Sequence, residues 1–435
     1  MDSTTLPVAS ERMAPGARRA LFAAVTGTLI EWYDYALYGA AAGLVIAPLF
    51  FEGATSGATL AAFATFAVGF LARPLGGVMV GHLGDRYGRR PALLLTIVVM
   101  GAATVGIGLL PTAAAIGVLA PVLLVVLRLL QGMGAGAELA GATTLVAEFA
   151  PPHRRGLLTS LVLSMPPAGI ALATGAFLWA STAGDEALLE WAWRLPFLAS
   201  AVLFALAVFI RRRLEETPEY VQAQERAADH GERDRVPLLE LFRRHRRAVL
   251  LGFLGVTGHN ALNYTMAVYA LSLMTSPEVG LDRAAALTAV TLGSLAGVVA
   301  TPFGGLAADR YGPRVVLAAG SAAGALYVFP LLGALSSGNA VLAAVAIALG
   351  YVLVIALTSG AQGAYLASLF PPRERFSGIA VAREANGALV AGTTPLVVTG
   401  LVASLGGLWA GGAYVALCCL LSAVAVFLAP NVERH

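Results

Sequence analysis

The chain has 435 residues, of which 58% are hydrophobic and only 12% charged, with a mean hydropathy of +0.78. A soluble protein of this length needs far more charge to cover its surface, so a water-soluble globule is excluded. The formal net charge of +3 says little by itself, because where the charges fall matters more than their sum. No nucleic-acid partner is expected.

The 49 glycines fit a membrane solvent, since small residues let helices approach closely where lipid gives no hydrophobic drive. The length suits two six-helix membrane halves. Every basic residue is Arg, a bias of composition rather than of chemistry. The two cysteines, Cys418 and Cys419, are adjacent in a late apolar stretch and offer neither a disulfide framework nor metal-ligand spacing.

A run of about twenty apolar residues crosses a hydrocarbon layer. In chain order the pattern predicts spans near 22–50, 57–81, 91–110, 116–148, 156–182 and 191–211. Six more follow near 248–275, 284–308, 314–335, 340–369, 376–404 and 408–429. The first and fourth are long for one crossing, which predicts tilt or projection beyond the bilayer. The first lacks an obvious cleavage site and contains Glu31 and Asp34, so it reads as a retained span. Arg12, Arg18 and Arg19 precede the first span, and Arg86, Arg89 and Arg90 follow the second. Arg154 and Arg155 follow the fourth, a cluster from Arg211 to Arg247 follows the sixth, and Arg310, Arg314, Arg373 and Arg375 continue the alternation. The opposite loops carry Glu52, Asp185, Glu186, Glu190, Glu278 and Asp282 with the single Arg283. The positive-inside rule then predicts a cytoplasmic location for both termini. The expected organisation is a cytoplasmic segment (1–21), a first bundle (22–211), a cytoplasmic linker (212–247), a second bundle (248–429) and a cytoplasmic tail (430–435).

Two landmarks recur. Gly81-His-Leu-Gly-Asp-Arg-Tyr-Gly-Arg-Arg90 follows the second span, and Gly305-Leu-Ala-Ala-Asp-Arg-Tyr-Gly-Pro-Arg314 follows the eighth. Pro151-Pro-His-Arg-Arg-Gly156 follows the fourth, and Pro371-Pro-Arg-Glu-Arg-Phe-Ser-Gly378 the tenth. A duplicated six-helix unit explains both pairs, and two such parallel repeats enclose a site near the midplane.

On these motifs the chain resembles the major facilitator superfamily over essentially its whole length. Further runs resemble the metabolite:proton symporter family within it: Glu31-Trp-Tyr-Asp34, Phe70-Leu-Ala-Arg-Pro-Leu-Gly-Gly77, Arg128-Leu-Leu-Gln-Gly-Met-Gly-Ala-Gly-Ala-Glu138, Trp193-Arg-Leu-Pro-Phe197 and Glu215-Glu-Thr-Pro-Glu-Tyr220. The second-half loop departs in having Pro313 where the first has Arg89. The eleventh span departs in reading Ala382-Arg-Glu-Ala-Asn386, and the coiled-coil tail of the family's osmosensory branch is missing. The resemblance implies an all-α polytopic fold of twelve helices in two pseudo-symmetric bundles. It also implies proton-coupled import of a small polar metabolite.

Glu31, Asp34, Arg73, Arg128, Glu138, Arg383 and Glu384 lie well within predicted spans. An unpaired charge costs about 2.5–3.5 kcal/mol near a helix centre, so such residues face the bundle interior and mark ion or substrate pathways. Glu31 and Asp34 share a helix face. Two carboxylates so close in low dielectric repel, which makes one of them a candidate proton carrier. The expected pairing is Asp34 with Arg73, leaving Glu31 or Glu138 more weakly held. Four acids against three bases leave one carboxylate over, the natural proton carrier of a symporter.

Arg128, with Gln131 one turn away, offers a fork that matches a carboxylate and is a candidate substrate ligand. Arg383 and Glu384 point about 100° apart and cannot simply pair with each other. With Asn386 they are candidates for substrate recognition, as are His259, Asn260, Asn263 and Tyr264 on the seventh span. Trp32, Tyr33, Tyr35 and Tyr38 line a cavity, face lipid or pack on other helices. The loop residues Gly81, Asp85, Arg86, Gly88, Arg89 and Arg90, with Asp309 and Arg310 in the second half, are read as a conformational gate that breaks as the halves rock.

No nucleotide loop, metal cluster or catalytic triad is present in the sequence, so an enzyme is not expected, nor any cofactor beyond the coupling proton. An exporter of drugs or metabolites usually carries a G-P-x-x-G-G motif in the fifth span, which here reads Ser164-Met-Pro-Pro-Ala-Gly169. The expected function is import of a small organic acid, with a proline- or betaine-like compatible-solute symporter or a proton-coupled drug or metabolite exporter as the alternatives, by a monomer in the bilayer of a bacterial-type inner membrane.

Overall fold

The computed structural model describes residues 17–51, 56–87, 89–135, 142–143, 146–147, 150–213, 238–371 and 374–429. The N-terminal segment to residue 16, most of the expected linker (214–237), the tail from 430, Gly88 and Glu138 lie outside the described residues. So do the side chains of Asp85, Arg86, Arg89 and Arg90, on backbone that is helical at Gly81, Asp85 and Arg86 and again from Arg89.

Lipid offers no hydrogen bonds, so each crossing must satisfy its own backbone, and an apolar run can do this only as a helix. Among the described residues, twelve helical spans result. The first runs from Ala17–Ala41 through a π-helical turn, Ala42–Ile46, into Ala47–Phe50. Ser56–Tyr87, Arg89–Leu109 and Leu119–Gly134 give the second to fourth. The fifth is Arg155–Leu163 with Met165–Ser181, restarting at Pro166 and Pro167. The sixth, Arg194–Arg213, follows the segment Asp185–Ala192 after a bend of 51°. The seventh is Leu238–Tyr264, a π turn Thr265–Tyr269 and Ala270–Met274. Arg283–Tyr311, Pro313–Leu335, Ala340–Leu369, Arg375–Leu405 and Leu408–Leu428 complete the set. Large apolar side chains such as Val202, Leu326 and Phe427 are exposed, as lipid-facing residues are.

The first and seventh spans, equivalent in the two halves, both carry a π turn in the same part of the helix, an internal symmetry that composition does not reveal. A π turn takes in one residue more than an α turn and often marks a functional region.

Among the described residues the halves meet along four helix pairs: second with eleventh, fifth with eighth, fifth with tenth, and first with seventh. At the arginine-rich end the fifth and eighth spans are nearly in backbone contact. A Cβ on Gly156 would fall 2.5 Å from the Gly305 carbonyl oxygen. There Asp309 accepts hydrogen bonds from the backbone nitrogens of Gly156 (2.6 Å) and Leu157 (2.9 Å). At the opposite end Gly43 lies against Ser272, and Arg283 of the second half reaches Asp185 of the first at 3.0 Å.

Candidate functional site

Six of the seven intramembrane charges lie among the described residues, and they form two separate clusters. The first lies within the first half. Gln131 donates from Nε2 to Asp34 Oδ2 at 2.6 Å and to Thr104 Oγ1 at 2.9 Å, and Thr104 donates to Asp34 Oδ1. The oxygen of the same amide accepts from Arg128 Nη1. Arg128 is fully buried: its Nε and Nη2 donate to the carbonyls of Thr65 (3.3 Å) and Phe66 (3.0 Å), and its guanidinium lies 4.0 Å from the Tyr38 ring centroid. Gly69 makes room for it, since a Cβ there would lie 2.7 Å from Arg128 Cζ.

The second cluster crosses the divide. Arg73 Nη2 donates to Glu31 Oε1 at 2.8 Å, within the first half. Its Nε donates to Glu384 Oε2 at 2.8 Å, and Nη2 approaches Glu384 Oε1 at 3.3 Å, both on the eleventh span. The expected pairing of Asp34 with Arg73 is therefore replaced by one with Glu31 and Glu384. Three residues along a helix differ by about 4.5 Å in height and by about 60° in direction. Asp34 thus meets Thr104 and Gln131 of the third and fourth spans, while Glu31 meets Arg73 of the second.

Aromatic rings surround this second cluster. Arg73 lies 4.8 Å from the Tyr35 ring centroid and 5.7 Å from that of Phe70. Tyr264 packs on Trp32, Phe66 and Phe70 at 6.1, 5.9 and 5.4 Å between centroids, so rings of both halves converge here. Trp32 Nε1 and the Tyr35 hydroxyl are buried and have no hydrogen-bond partner among the described residues. Buried donors are nearly always paired, so an orphaned pair beside an ion cluster is what a polar ligand would satisfy. The other two aromatics of that helix serve the first half: the Tyr33 hydroxyl donates to Pro196 O at 3.0 Å, and Tyr38 meets Thr65.

On the second-half side, adjacent Arg383 and Glu384 diverge, Arg383 donating from Nη1 to Gln362 Oε1 at 2.7 Å. Asn386 is consumed in joining helices. It donates to Phe253 O (2.9 Å) and Thr257 Oγ1 (2.8 Å) and accepts from Asn260 at 2.6 Å. His259 Nδ1 is paired with Thr358 Oγ1 at 2.9 Å, and Asn263 is buried one turn away. Of the predicted recognition residues, the structure thus brings Arg383, Glu384 and Tyr264 near the cross-half cluster. Arg128 and Gln131 are engaged in the other, and Asn386 with Asn260 in helix contacts.

Four contributors were not read from the sequence. Thr104 is one hydroxyl in an apolar span and gives no signal, since such residues usually bond to their own helix, as Thr104 also does. Phe66 and Phe70 look like ordinary core. Gln362 was legible, being a lone amide inside a long apolar run. Among the described residues no group of three or more His, Cys, Asp or Glu is placed to hold a metal, and Cys418 and Cys419 are buried free thiols.

Comparison with known proteins places this geometry. The family described as Major Facilitator Superfamily matches residues 24–382. The inner membrane metabolite transport protein YhjE of Escherichia coli K12 is 36% identical over 445 aligned positions, covering 100% of this chain and 98% of that protein. The shikimate transporter of the same organism is also 36% identical, with all of both chains covered. The ectoine/proline transporter ProP of Corynebacterium glutamicum is 36% identical over 89% of this chain and 79% of its own length. Among solved structures, a partially occluded inward-open form of the xylose transporter XylE from E. coli superposes with a TM-score of 0.74 at 18% identity, over 96% of this chain and 99% of that one.

Proposed function

Since the chain belongs to the major facilitator superfamily and is a multi-pass membrane transporter rather than an enzyme, we propose that it imports a small organic acid together with protons by alternating access. The reading rests above all on Arg73, which holds Glu31 of one half and Glu384 of the other within a ring-lined space at the divide. An ion cluster shared between two bodies that rock against each other has two arrangements, made and broken, and so can couple ion and substrate to the switch.

In this reading the arginine-rich end faces the cytoplasm, with both termini there. Glu31 and Asp34 carry or relay the proton, with Glu138 as a further candidate. Arg383, Tyr264 and the unsatisfied donors of Trp32 and Tyr35 contact the substrate, with His259 and Asn263 behind them. Arg128 and Gln131 position Asp34. Asp309, capping the fifth span across the divide, and its first-half counterpart Asp85 with Arg86, Arg89 and Arg90 work as the cytoplasmic latch. The proton serves as coupling ion without a further cofactor, and a monomer suffices.

A second reading, import of a zwitterionic compatible solute, is favoured by one observation. The rings of Tyr35 and Phe70 flank Arg73, which holds the acidic Glu384, and Tyr264 packs on Phe70, a setting that suits a quaternary ammonium. Relatives named for proline, betaine and ectoine transport fit that alternative.

Uptake into proteoliposomes separates the readings. A labelled panel of succinate, citrate, shikimate, proline and glycine betaine is offered with and without an inward proton gradient. Gradient-driven accumulation of a carboxylate supports the first reading, and of proline or betaine the second. Proton-driven efflux would overturn import.

A further inference from the structure

The contact between Arg73 and Glu384 has the form of a ligand contact. The carboxylate lies side-on to the guanidinium, Oε2 at 2.8 Å from Nε and Oε1 at 3.3 Å from Nη2, the two-point fit by which arginine recognises free carboxylates. It also joins residues 311 positions apart on opposite halves, so separation of the halves at this point breaks it. Arg73 meanwhile keeps Glu31 on its own half at 2.8 Å. One guanidinium thus serves two carboxylates, a fixed one and one delivered by the other body. The delivered one is the more accessible, its side chain 12% exposed against 2% for Glu31.

We infer that Glu384 is a tethered stand-in for the carboxylate of the transported acid: an incoming anion takes the Arg73 fork, and the displaced Glu384 takes up one proton. This rests on the organic-acid reading above. The charge balance is simple. The anion replaces one negative charge on Arg73 with another, and Glu384 leaves its partner as a neutral acid, so the cavity gains one anion and one proton together. A carboxylate expelled from its ion pair but kept out of water is stable only when protonated. Neither ligand can then bind well without the other, which is the linkage that symport requires.

Among the described residues around Glu384, the other carboxylate at Arg73 is Glu31, already held there at 2.8 Å. From the first span come Glu31 and Tyr35, and from the second Arg73. The seventh brings Tyr264 and His259, whose Nδ1 is paired with Thr358. The tenth offers Gln362, already holding Arg383, the remaining charge on the eleventh. The empty donors on Trp32 and Tyr35 would receive the rest of a polar acid.

The test uses the full-length protein, with shikimate and succinate as probes and glycine betaine as control. In weakly buffered detergent solution, binding of the accepted carboxylate to the wild type should take up about one proton per site, and Glu384→Gln should take up none. The variant should keep substrate exchange across the vesicle membrane and lose proton-driven accumulation. Its KM near neutral pH should fall by roughly tenfold, because the internal competitor is gone, and should no longer vary with pH. If that variant does not fold, Glu384→Asp is expected to keep both proton uptake and a pH-dependent KM. A wild type that accumulates a carboxylate without taking up a proton on binding it would overturn this inference and leave the organic-acid reading standing. A variant whose KM rises with its pH dependence intact would do the same. A wild type that transports no carboxylate of the panel would overturn both.

Discussion

Asp309 holds the backbone nitrogen of Gly156 at 2.6 Å across the divide, so the carboxylate of the eighth span caps the N-terminus of the fifth. A carboxylate is well suited to this position, where the first turn of a helix leaves its N–H groups without partners and carries partial positive charge. The bond joins two bodies and not two parts of one, so it stabilises only the state closed at that end. Asp309→Asn keeps an acceptor but removes the charge, weakening a contact worth about 0.5–2 kcal/mol. The expected outcome is normal membrane insertion and KM within a factor of two, with the initial rate of uptake altered several-fold as the balance of states moves. An unchanged rate would remove Asp309 from the gate. Asp85, at the matching position of the first-half motif, is expected to behave alike.

Asp34 is predicted to be indispensable for coupling but not for carrying. It accepts from Thr104 and from Gln131 Nε2 at 2.6 Å in a site closed to solvent, with Arg128 one residue beyond the amide. Asp34→Asn preserves size and part of that network while removing the group able to take a proton. Proton-driven accumulation in vesicles should be lost and counterflow exchange of labelled substrate should persist. Accumulation at the wild-type level would take Asp34 out of the mechanism.

The contrast between these two carboxylates shows which parts of the site the sequence could carry. That Glu31, Asp34, Arg73, Arg128, Arg383 and Glu384 turn inward follows from the cost of a charge in lipid, which depends only on position within an apolar run. The span pattern and the repeat are legible for the same reason. Which acid meets which base is a matter of how each helix is rotated and set in depth against its neighbours, and spacing along one helix does not fix that. The bond from Arg73 to Glu384 joins residues 311 positions apart and depends on how two bundles dock, for which spacing holds no signal. Phe66 and Phe70 hid in the same way, because a ring lining a polar cluster and a ring in the core are the same residue type in sequence.

Gly69 is predicted to admit no side chain. The second and fourth spans approach until the Gly69 carbonyl and Gly132 are in contact, and the Arg128 guanidinium fills the space where a Cβ would stand. Gly69→Ala forces either the arginine off its carbonyls or the helices apart, an overpacking cost of about 1–3 kcal/mol. Purified in detergent, this variant should unfold several degrees below the wild type. Gly77→Ala, where a Cβ meets nothing within 4 Å, serves as the control and should not. Equal melting of both would mean that the two helices are less tightly apposed than the structure has them.

Arg128 separates a positioning role from a binding one. Its donors are spent on Gln131 and on the carbonyls of Thr65 and Phe66, all within the first half, and the side chain is fully buried. A guanidinium so engaged holds the second and fourth spans together and fixes the amide that bonds Asp34. Arg128→Lys keeps the charge but replaces a planar fork of five donors with a single ammonium that cannot reach all three partners. Breaking such a buried network typically costs about 3–5 kcal/mol, so the yield of folded protein and its thermal stability should drop sharply. In whatever folds, proton dependence should be disturbed through Asp34 while KM for the carboxylate stays within a few-fold of the wild type. A KM raised a hundredfold in a protein of normal stability would instead place Arg128 in direct contact with the substrate, and would require a state of the transporter in which its bonds to the second span are released.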